Sequence, residues 1–387
     1  MQIFFSVGEP SGDQHAAHLI EELRRRRTDI DVVGYGGPLM ERAGCRIEFP
    51  LTNLAVMGLL RVFPLLRQFY LLVRLANRFF HEHRPAAVVL IDFPGFNWWI
   101  ARQAKKAGIP VFYYLPPQLW AWAPWRVNKM RRFVDHVLCA LPFEQQWYAE
   151  RGIEVEYVGH PFFDEVADYS LDQDFLTERQ MLNRRKVGIL PGSRNFEVRR
   201  NWPLMIEVMQ RLHAEHADVS FYVACYRASH RDFCRQSLNA KQLNLPVELH
   251  VGKTPEIIEL AECCLMVSGS VSLELLARKT PAVVTYRIGP LMRLLSFILL
   301  RCKYVTLPNL FADRELMPEF VYTGSPASSI RQVTNVFRVW LGDRQQLAEK
   351  TAELTELRER YFQTGATGRT AEAILKRLPP AEQRHAA

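Results

Sequence analysis

Two short loops in the second half of the chain carry residue types that suit a phosphate ligand. The first, Leu190-Pro191-Gly192-Ser193-Arg194-Asn195-Phe196-Glu197, follows the apolar run Lys186-Val187-Gly188-Ile189-Leu190. The second, Val267-Ser268-Gly269-Ser270-Val271-Ser272-Leu273-Glu274, follows Cys264-Leu265-Met266. Each reads as a buried strand ending in a small-residue turn that opens a helix. That geometry points unpaired backbone N–H groups and a positive helix end at one spot. Arg194 can fork two hydrogen bonds onto a diphosphate. Glu274, in the first turns of the second helix, puts a carboxylate where it could hold ribose hydroxyls. The same residues have a plainer use: Ser193, Asn195 and Ser270 are ordinary N-cap types, and Glu197 and Glu274 suit the helix dipole. Two such turns in one βα half, at strand carboxyl ends, point to a nucleotide-diphosphate pocket.

The first half offers a different chemistry. Gly8-Glu9-Pro10-Ser11-Gly12-Asp13 follows the first strand, and its glycines permit a tight turn with close backbone approach. It is not a G-x-G-x-x-G, so it does not by itself indicate a dinucleotide, and Ser11 or Asp13 could instead cap a helix beginning near Gln14. Asp92 ends the buried run Ala87-Val88-Val89-Leu90-Ile91 and precedes Phe93-Pro94-Gly95-Phe96-Asn97. A carboxylate at a strand's carboxyl end, wrapped in aromatic rings, is a candidate general base with a raised pKa. Its alternative role is to cap the next helix or bond its own loop. The uncharged stretch from Pro110 to Trp125 contains Trp120-Ala121-Trp122, an apolar wall suited to sugar faces or acyl chains, with core packing the simpler use for at least one tryptophan. His160, in Gly159-His160-Pro161, reads as a hinge element.

These loops need strands and helices to hold them. Strands are predicted at 2–7, 31–34, 87–92, 110–114, 135–140 and 155–158. Helices are predicted at 13–26, 37–43, 59–81, 96–107, 125–132 and 143–151. After a polar break at 159–183, alternation resumes with strands at 186–190, 219–225, 248–251, 263–267 and 281–285, and helices at 330–341, 343–362 and 368–377. The pattern predicts an α/β protein with two Rossmann-like domains facing a central cleft: 1–160, 161–340, and closing helices at 341–387 that could return to the first domain.

Composition narrows the partners. The 387 residues suffice for two domains, and a net charge of +8 favours an anionic partner such as a phosphorylated substrate or an anionic lipid surface. Nucleic acid is not expected: Arg24-Arg25-Arg26-Arg27 ends a helix, where cations complement the dipole. The seven cysteines show no C-x-x-C spacing and read as small buried hydrophobes in a reducing compartment; no metal site is expected. No apolar run approaches the ~18 residues of a membrane span. With a strand at the N-terminus and no leader, a cytoplasmic location is expected. Residues 56–80 and 291–305 interleave apolar side chains with Arg61, Arg67, Arg74, Arg78, Arg293, Arg301 and Lys303. Such segments fit a face pressed into anionic headgroups, or simply helices with one core face.

Taken in order, GEPSGD, Leu54-Ala55-Val56-Met57-Gly58, IDFPGFN, WAW, GHP, PGSRNFEV, SGSVSLE and Tyr304-Val305-Thr306-Leu307-Pro308-Asn309-Leu310 resemble the lipid-A-disaccharide synthase family from residue 2 to about 320. The resemblance implies a GT-B glycosyltransferase that inverts the anomeric centre without a cofactor. The implied donor is UDP-2,3-diacylglucosamine and the acceptor 2,3-diacylglucosamine 1-phosphate, giving a β-1,6-linked disaccharide phosphate and UDP. It implies that Asp92 is the base, that Glu9 and Ser11 lie in the acceptor-side loop, and that Arg194, Ser268, Gly269, Ser270, Glu274 and Asn309 contact UDP or its sugar. On the residues alone, Asn309 would be a turn residue after Pro308. Acyl substrates imply peripheral association with the cytoplasmic face of the inner membrane. The chain departs from the family at Pro10 within GEPSGD, within Leu115-Pro116-Pro117-Gln118, and at Ala123, where an arginine is usual; Arg126 is kept. Two other readings stand beside this one: a UDP-N-acetylglucosamine 2-epimerase-like enzyme, and a UDP- or lipid-binding protein without turnover.

Overall fold

The computed structural model describes residues 1–54, 65–290, 293–294 and 301–380. The motif from Ala55 to Gly58, the first part of the helix expected at 59–81, and most of the segment 291–305 lie outside them. The chain divides into two compact units, 1–164 with 363–387, and 165–362.

Among its described residues the first unit holds a seven-stranded parallel sheet in the order β3-β2-β1-β4-β5-β6-β7. The strands are β1 (Gln2–Val7), β2 (Asp31–Tyr35), β3 (Cys45–Phe49), β4 (Ala87–Ile91), β5 (Val111–Tyr114), β6 (His136–Cys139) and β7 (Val155–Tyr157). The central strands are buried on both faces, which is why they read as unbroken apolar runs and not as alternating patterns. β3 was not expected. It is an edge strand whose burial alternates, so its sequence Cys45-Arg46-Ile47-Glu48-Phe49 lacks an apolar run. The helix Ala366–Leu375 packs on the helix Pro10–Arg26, with Ala371, Ala373 and Ile374 joining Leu19, Ile20 and Leu23 in one core. Its N-terminus is capped by Asp164, distant in sequence, whose carboxylate accepts from Gly365 N at 2.5 Å and Thr367 N at 2.9 Å.

The second unit holds a six-stranded parallel sheet among its described residues, ordered β10-β9-β8-β11-β12-β13. These are β8 (Arg185–Leu190), β9 (Val219–Cys225), β10 (Val247–Val251), β11 (Cys263–Val267), β12 (Ala282–Arg287) and β13 (Glu319–Tyr322). β13, an edge strand, also escaped the sequence reading. The helix Arg344–Tyr361 packs against Val271–Arg278 and Ala327–Gly342 inside this unit. The closing segment expected at 341–387 thus divides after Phe362, and only its last helix joins the first unit.

Each sheet reverses its strand order once, between β1 and β4 and between β8 and β11. Ligands of open parallel sheets bind outside the carboxyl ends of strands at such a switch point. The loops at 8–13, 92–97, 190–197 and 267–274 follow those four strands.

Candidate active site

In the first unit the register pairs Val7 of β1 with Ile91 of β4, so Gly8 and Asp92 leave the sheet side by side. The helix after β1 starts at Pro10, earlier than expected, with Glu9 at the N-cap. Ser11 and Asp13 therefore lie inside its first turn and neither caps it. Ser11 is exposed. Asp13 is buried and caps a different helix, Pro38–Arg42: its carboxylate accepts from Gly37 N at 3.0 Å, Leu39 N at 3.0 Å and Met40 N at 3.1 Å.

Asp92 is half-buried, and one carboxylate oxygen lies 3.6 Å from where a Cβ on Gly12 would stand. The carboxyl thus sits over the first turn of the Pro10–Arg26 helix. Burial, reinforced by the nearby Glu9 charge and only partly opposed by His15, pushes its pKa up to about 7. That value suits a base at neutral pH. The backbone here is unusual: Asp92 and Phe93 are consecutive left-handed residues, at φ 47° and 45°, and neither is glycine. Each such residue costs about 1–3 kcal/mol and persists only where the surroundings hold it. The holders are Asn97 and Tyr113, whose Nδ2 and Oη donate to the Asp92 carbonyl at 2.8 and 2.7 Å. Sequence reading passed over both; the one signal was Asn97 closing the IDFPGFN run.

The tryptophan loop has two halves. Trp120 is buried, and its Nε1 donates to the buried Glu144 at 3.0 Å. Trp122 and Trp125 are exposed. At Ala123 the chain is left-handed, with φ 51°, and Arg126 turns back to donate to Trp122 O at 2.8 Å while lying 4.3 Å over the Trp122 ring. A cation is therefore present beside this loop although position 123 lacks one. His160 accepts from Phe162 N at 3.2 Å through Nδ1, and burial drives its pKa down to about 3, so the ring is neutral.

In the second unit the register pairs Leu190 with Met266, which sets the two phosphate-type loops next to each other. Asn195–Glu215 is a helix whose N-cap is Arg194. Glu197, three residues on, accepts from Arg194 N at 3.2 Å and Arg194 Nη1 at 2.9 Å. Glu197 is 4% exposed and Arg194 51%, so the carboxylate anchors the guanidinium from below and leaves its outer edge in solvent. Gly192, at φ 110°, has no room for a side chain: a Cβ would meet Glu197 at 2.9 Å. On the neighbouring loop, Gly269 and Ser270 are exposed, and Ser270 stands at the N-cap of Val271–Arg278 without a side-chain cap bond. Ser268 Oγ donates to Val305 O at 3.0 Å. Glu274 is buried, its pKa raised by that burial, and its Oε1 accepts from Arg278 Nε at 3.3 Å.

Asn309 lies deep in its own loop. It is fully buried and its amide is saturated: Nδ2 donates to Met317 O at 2.7 Å and Glu319 Oε1 at 2.8 Å, and Oδ1 accepts from Leu316 N and Met317 N, both at 2.8 Å. Every donor and acceptor of its side-chain amide is engaged within the chain. Glu319, missed in the sequence because β13 was missed, gathers this loop by also accepting from Val305 N at 2.8 Å and Thr306 Oγ1 at 2.6 Å.

Among the described residues no group of His, Cys, Asp and Glu could hold a metal ion, and no helix is long and apolar enough to cross a membrane. Six of the seven cysteines are buried, all free. Among solved structures, the fold resembles a Staphylococcus aureus MnaA–UDP complex (TM-score 0.66, 12% identity, 96% of this chain and 95% of that one). A Neisseria meningitidis UDP-GlcNAc 2-epimerase bound to UDP-GlcNAc matches at TM-score 0.62 and 12% identity, over 97% of this chain and 99% of that one. At such identities the likeness speaks for the fold alone, and that fold is GT-B. Sequence relatives are more specific. The lipid-A-disaccharide synthase of Anaeromyxobacter dehalogenans is 35% identical over 374 residues, covering 97% of both chains. That of Pseudomonas putida is 34% identical over 375 residues, covering 96% of this chain and 97% of the relative. A family profile described as Lipid-A-disaccharide synthetase matches residues 3–374. The chain belongs to the lipid-A-disaccharide synthetase family.

Proposed function

We propose that this protein joins UDP-2,3-diacylglucosamine to 2,3-diacylglucosamine 1-phosphate, forming the β-1,6-linked disaccharide 1-phosphate and UDP with inversion. The observation that carries this is the end-to-end family match, residues 3–374, which contains both switch-point loop pairs. The epimerase reading rests on fold likeness alone and has no comparable support.

In this reaction the acceptor 6-hydroxyl attacks the anomeric carbon. Its proton passes to Asp92, the new C–O bond forms, and the bond to the β-phosphate oxygen breaks with its electron pair leaving on UDP. A base with a pKa of about 7 is ionised often enough to act and basic enough to accept the proton. Glu9 and Ser11 serve the acceptor from the loop after β1. Arg194, steadied by Glu197, and the amides opening the helices after β8 and β11 take up the charge that grows on the diphosphate. Ser268, Gly269 and Ser270 line that diphosphate's side, and Glu274 accepts from a ribose hydroxyl. Asn309 acts through the loop it holds. Trp122 and Trp125 offer the acyl chains an apolar wall.

Acyl substrates reside in a bilayer, and the helix Leu66–His83 has a face that suits one. Leu66, Tyr70, Leu71 and Leu75 are exposed on it, interleaved at helical spacing with Arg67, Arg74 and Arg78. The enzyme works at the cytoplasmic face of the inner membrane, bound peripherally. The deciding assay incubates the purified protein with both substrates and looks for disaccharide and UDP. Disaccharide should form with both substrates present. Its absence across a range of acyl lengths would sink the proposal, and conversion of UDP-GlcNAc alone to its 2-epimer would favour the alternative.

A further inference from the structure

We infer that Asn97 and Tyr113 are positioning residues for the transfer, holding the Asp92 backbone in the left-handed turn that aims its carboxylate. The inference rests on Asp92 being the base. A chain leaving a strand has easier conformations than two consecutive left-handed residues, and here no glycine stands at either place to relieve them. What turns the backbone is the Asp92 carbonyl, which points inward and accepts from two side chains. Asn97 Nδ2 reaches it at 2.8 Å and Tyr113 Oη at 2.7 Å, so both lone pairs are used.

Asn97 does more than hold one oxygen. Its Nδ2 also lies 3.1 Å from Ser6 O and 3.2 Å from Ile91 O, and its Oδ1 accepts from Ser6 Oγ at 2.7 Å. One amide thus ties together the ends of β1 and β4, the two strands of the switch point, and the residue that follows. The same turn lays the Phe93 ring against Gly8, where a Cβ would come within 2.2 Å of it. Released from Asn97 and Tyr113, the backbone at 92 can relax towards ordinary φ values and swing the carboxylate away from the Gly12 turn. Both residues are fully buried, so neither meets a substrate. Burial holds the Tyr113 hydroxyl protonated to far above neutral pH, which keeps it a donor.

The test compares Tyr113→Phe, Asn97→Ser and Asp92→Asn in disaccharide turnover across pH, with thermal melts alongside. Tyr113→Phe deletes one hydroxyl and keeps the ring, so it serves if Asn97→Ser does not fold. We expect kcat to fall about 10- to 100-fold in either positioning variant, the scale of a small misplacement of a reacting group. KM for both substrates should stay within about twofold. The acid limb of the kcat–pH profile should move to lower pH, because a carboxyl that swings into water loses the burial that raised it. Wild-type kcat with an unmoved acid limb in Tyr113→Phe would overturn the inference. So would a lower kcat that tracks a lower melting temperature while the limb stays in place. Asp92→Asn separates the two layers. If it turns over normally, the base assignment falls and the inference with it; if it is inactive while Tyr113→Phe is normal, only the inference falls.

Discussion

At the scale of single residues, Asp92, the proposed base, has a proton affinity set by where it sits. Raising an aspartate from its ordinary 3.8 to about 7 means that the folded protein disfavours the charged form. That gap corresponds to ~4 kcal/mol at most. The folded state then holds a proton that the unfolded state has lost, so between about pH 4 and pH 7 this group makes stability fall as pH rises. Two outcomes follow. Turnover should climb with pH through about 7 and then level, as the base ionises. Asp92→Asn should melt higher than wild type at pH 8 and show little gain at pH 4; equal shifts at both pH values would mean that ionisation of Asp92 costs the fold nothing. His160 works in the opposite direction. Its folded pKa lies below the unfolded one, so its contribution is present above about 6.5 and is lost as pH falls towards 3. The candidate base stood out in the sequence because an acidic residue directly follows the unbroken apolar run 87–91. Its holders were not: Tyr113 looks like any aromatic in a buried strand, and only folding brings it to the Asp92 carbonyl.

At the scale of elements, the polar side chains in and around the loop motifs divide by what the backbone around them needs. Asp13 belongs to the motif after β1, yet its carboxylate spends itself on the amides of Gly37, Leu39 and Met40, in a helix too short to stand alone. Gly37 is packed so tightly there that a Cβ would lie 2.5 Å from Asp13 Oδ2. Asp13→Ala leaves three amide donors without their acceptor, so it should cost about 2–4 kcal/mol in urea unfolding, well above a single exposed cap. A change below about 0.5 kcal/mol would show that this cap does not hold the Pro38–Arg42 helix. Asn309 and Glu319 do comparable work on the loop beside Ser268. Neither pattern can be read from spacing, because donor and acceptor lie on different elements. The edge strands β3 and β13 were missed for a related reason: one side of each faces solvent, so the apolar run that announced β1, β4, β8 and β11 is absent.

At the scale of the whole molecule, the net charge of +8 is unevenly spent. The run at 24–27 is largely committed, Arg25 and Arg26 to Glu22, and Arg27 to Asp29. On the helix Leu66–His83, Arg67, Arg74 and Arg78 remain exposed among leucines, with Arg78 also paired to Glu82. Sedimentation with vesicles containing anionic lipid should therefore weaken as salt rises through the range where exposed charges are screened, and should weaken further when these three arginines become glutamine. Binding indifferent to salt would remove the arginines from the interaction.

The two loops whose residue types suit a phosphate show what sequence alone determines. Strand type, turn type and helix start are local, so a buried apolar run, a small-residue turn and a dipole-compatible first turn suffice to write a phosphate-type loop. The ordered motifs carried the family, because their succession is itself a property of sequence. What only the tertiary structure decided is which strands are neighbours. The registers Val7 with Ile91 and Leu190 with Met266 bring four separate loops together in two pairs. The same folding commits Asn309 and Asp13 to backbone amides while leaving the outer edge of Arg194 in solvent. Hydrogen-bond capacity is spent in three dimensions, and a residue's type does not say who its partner will be.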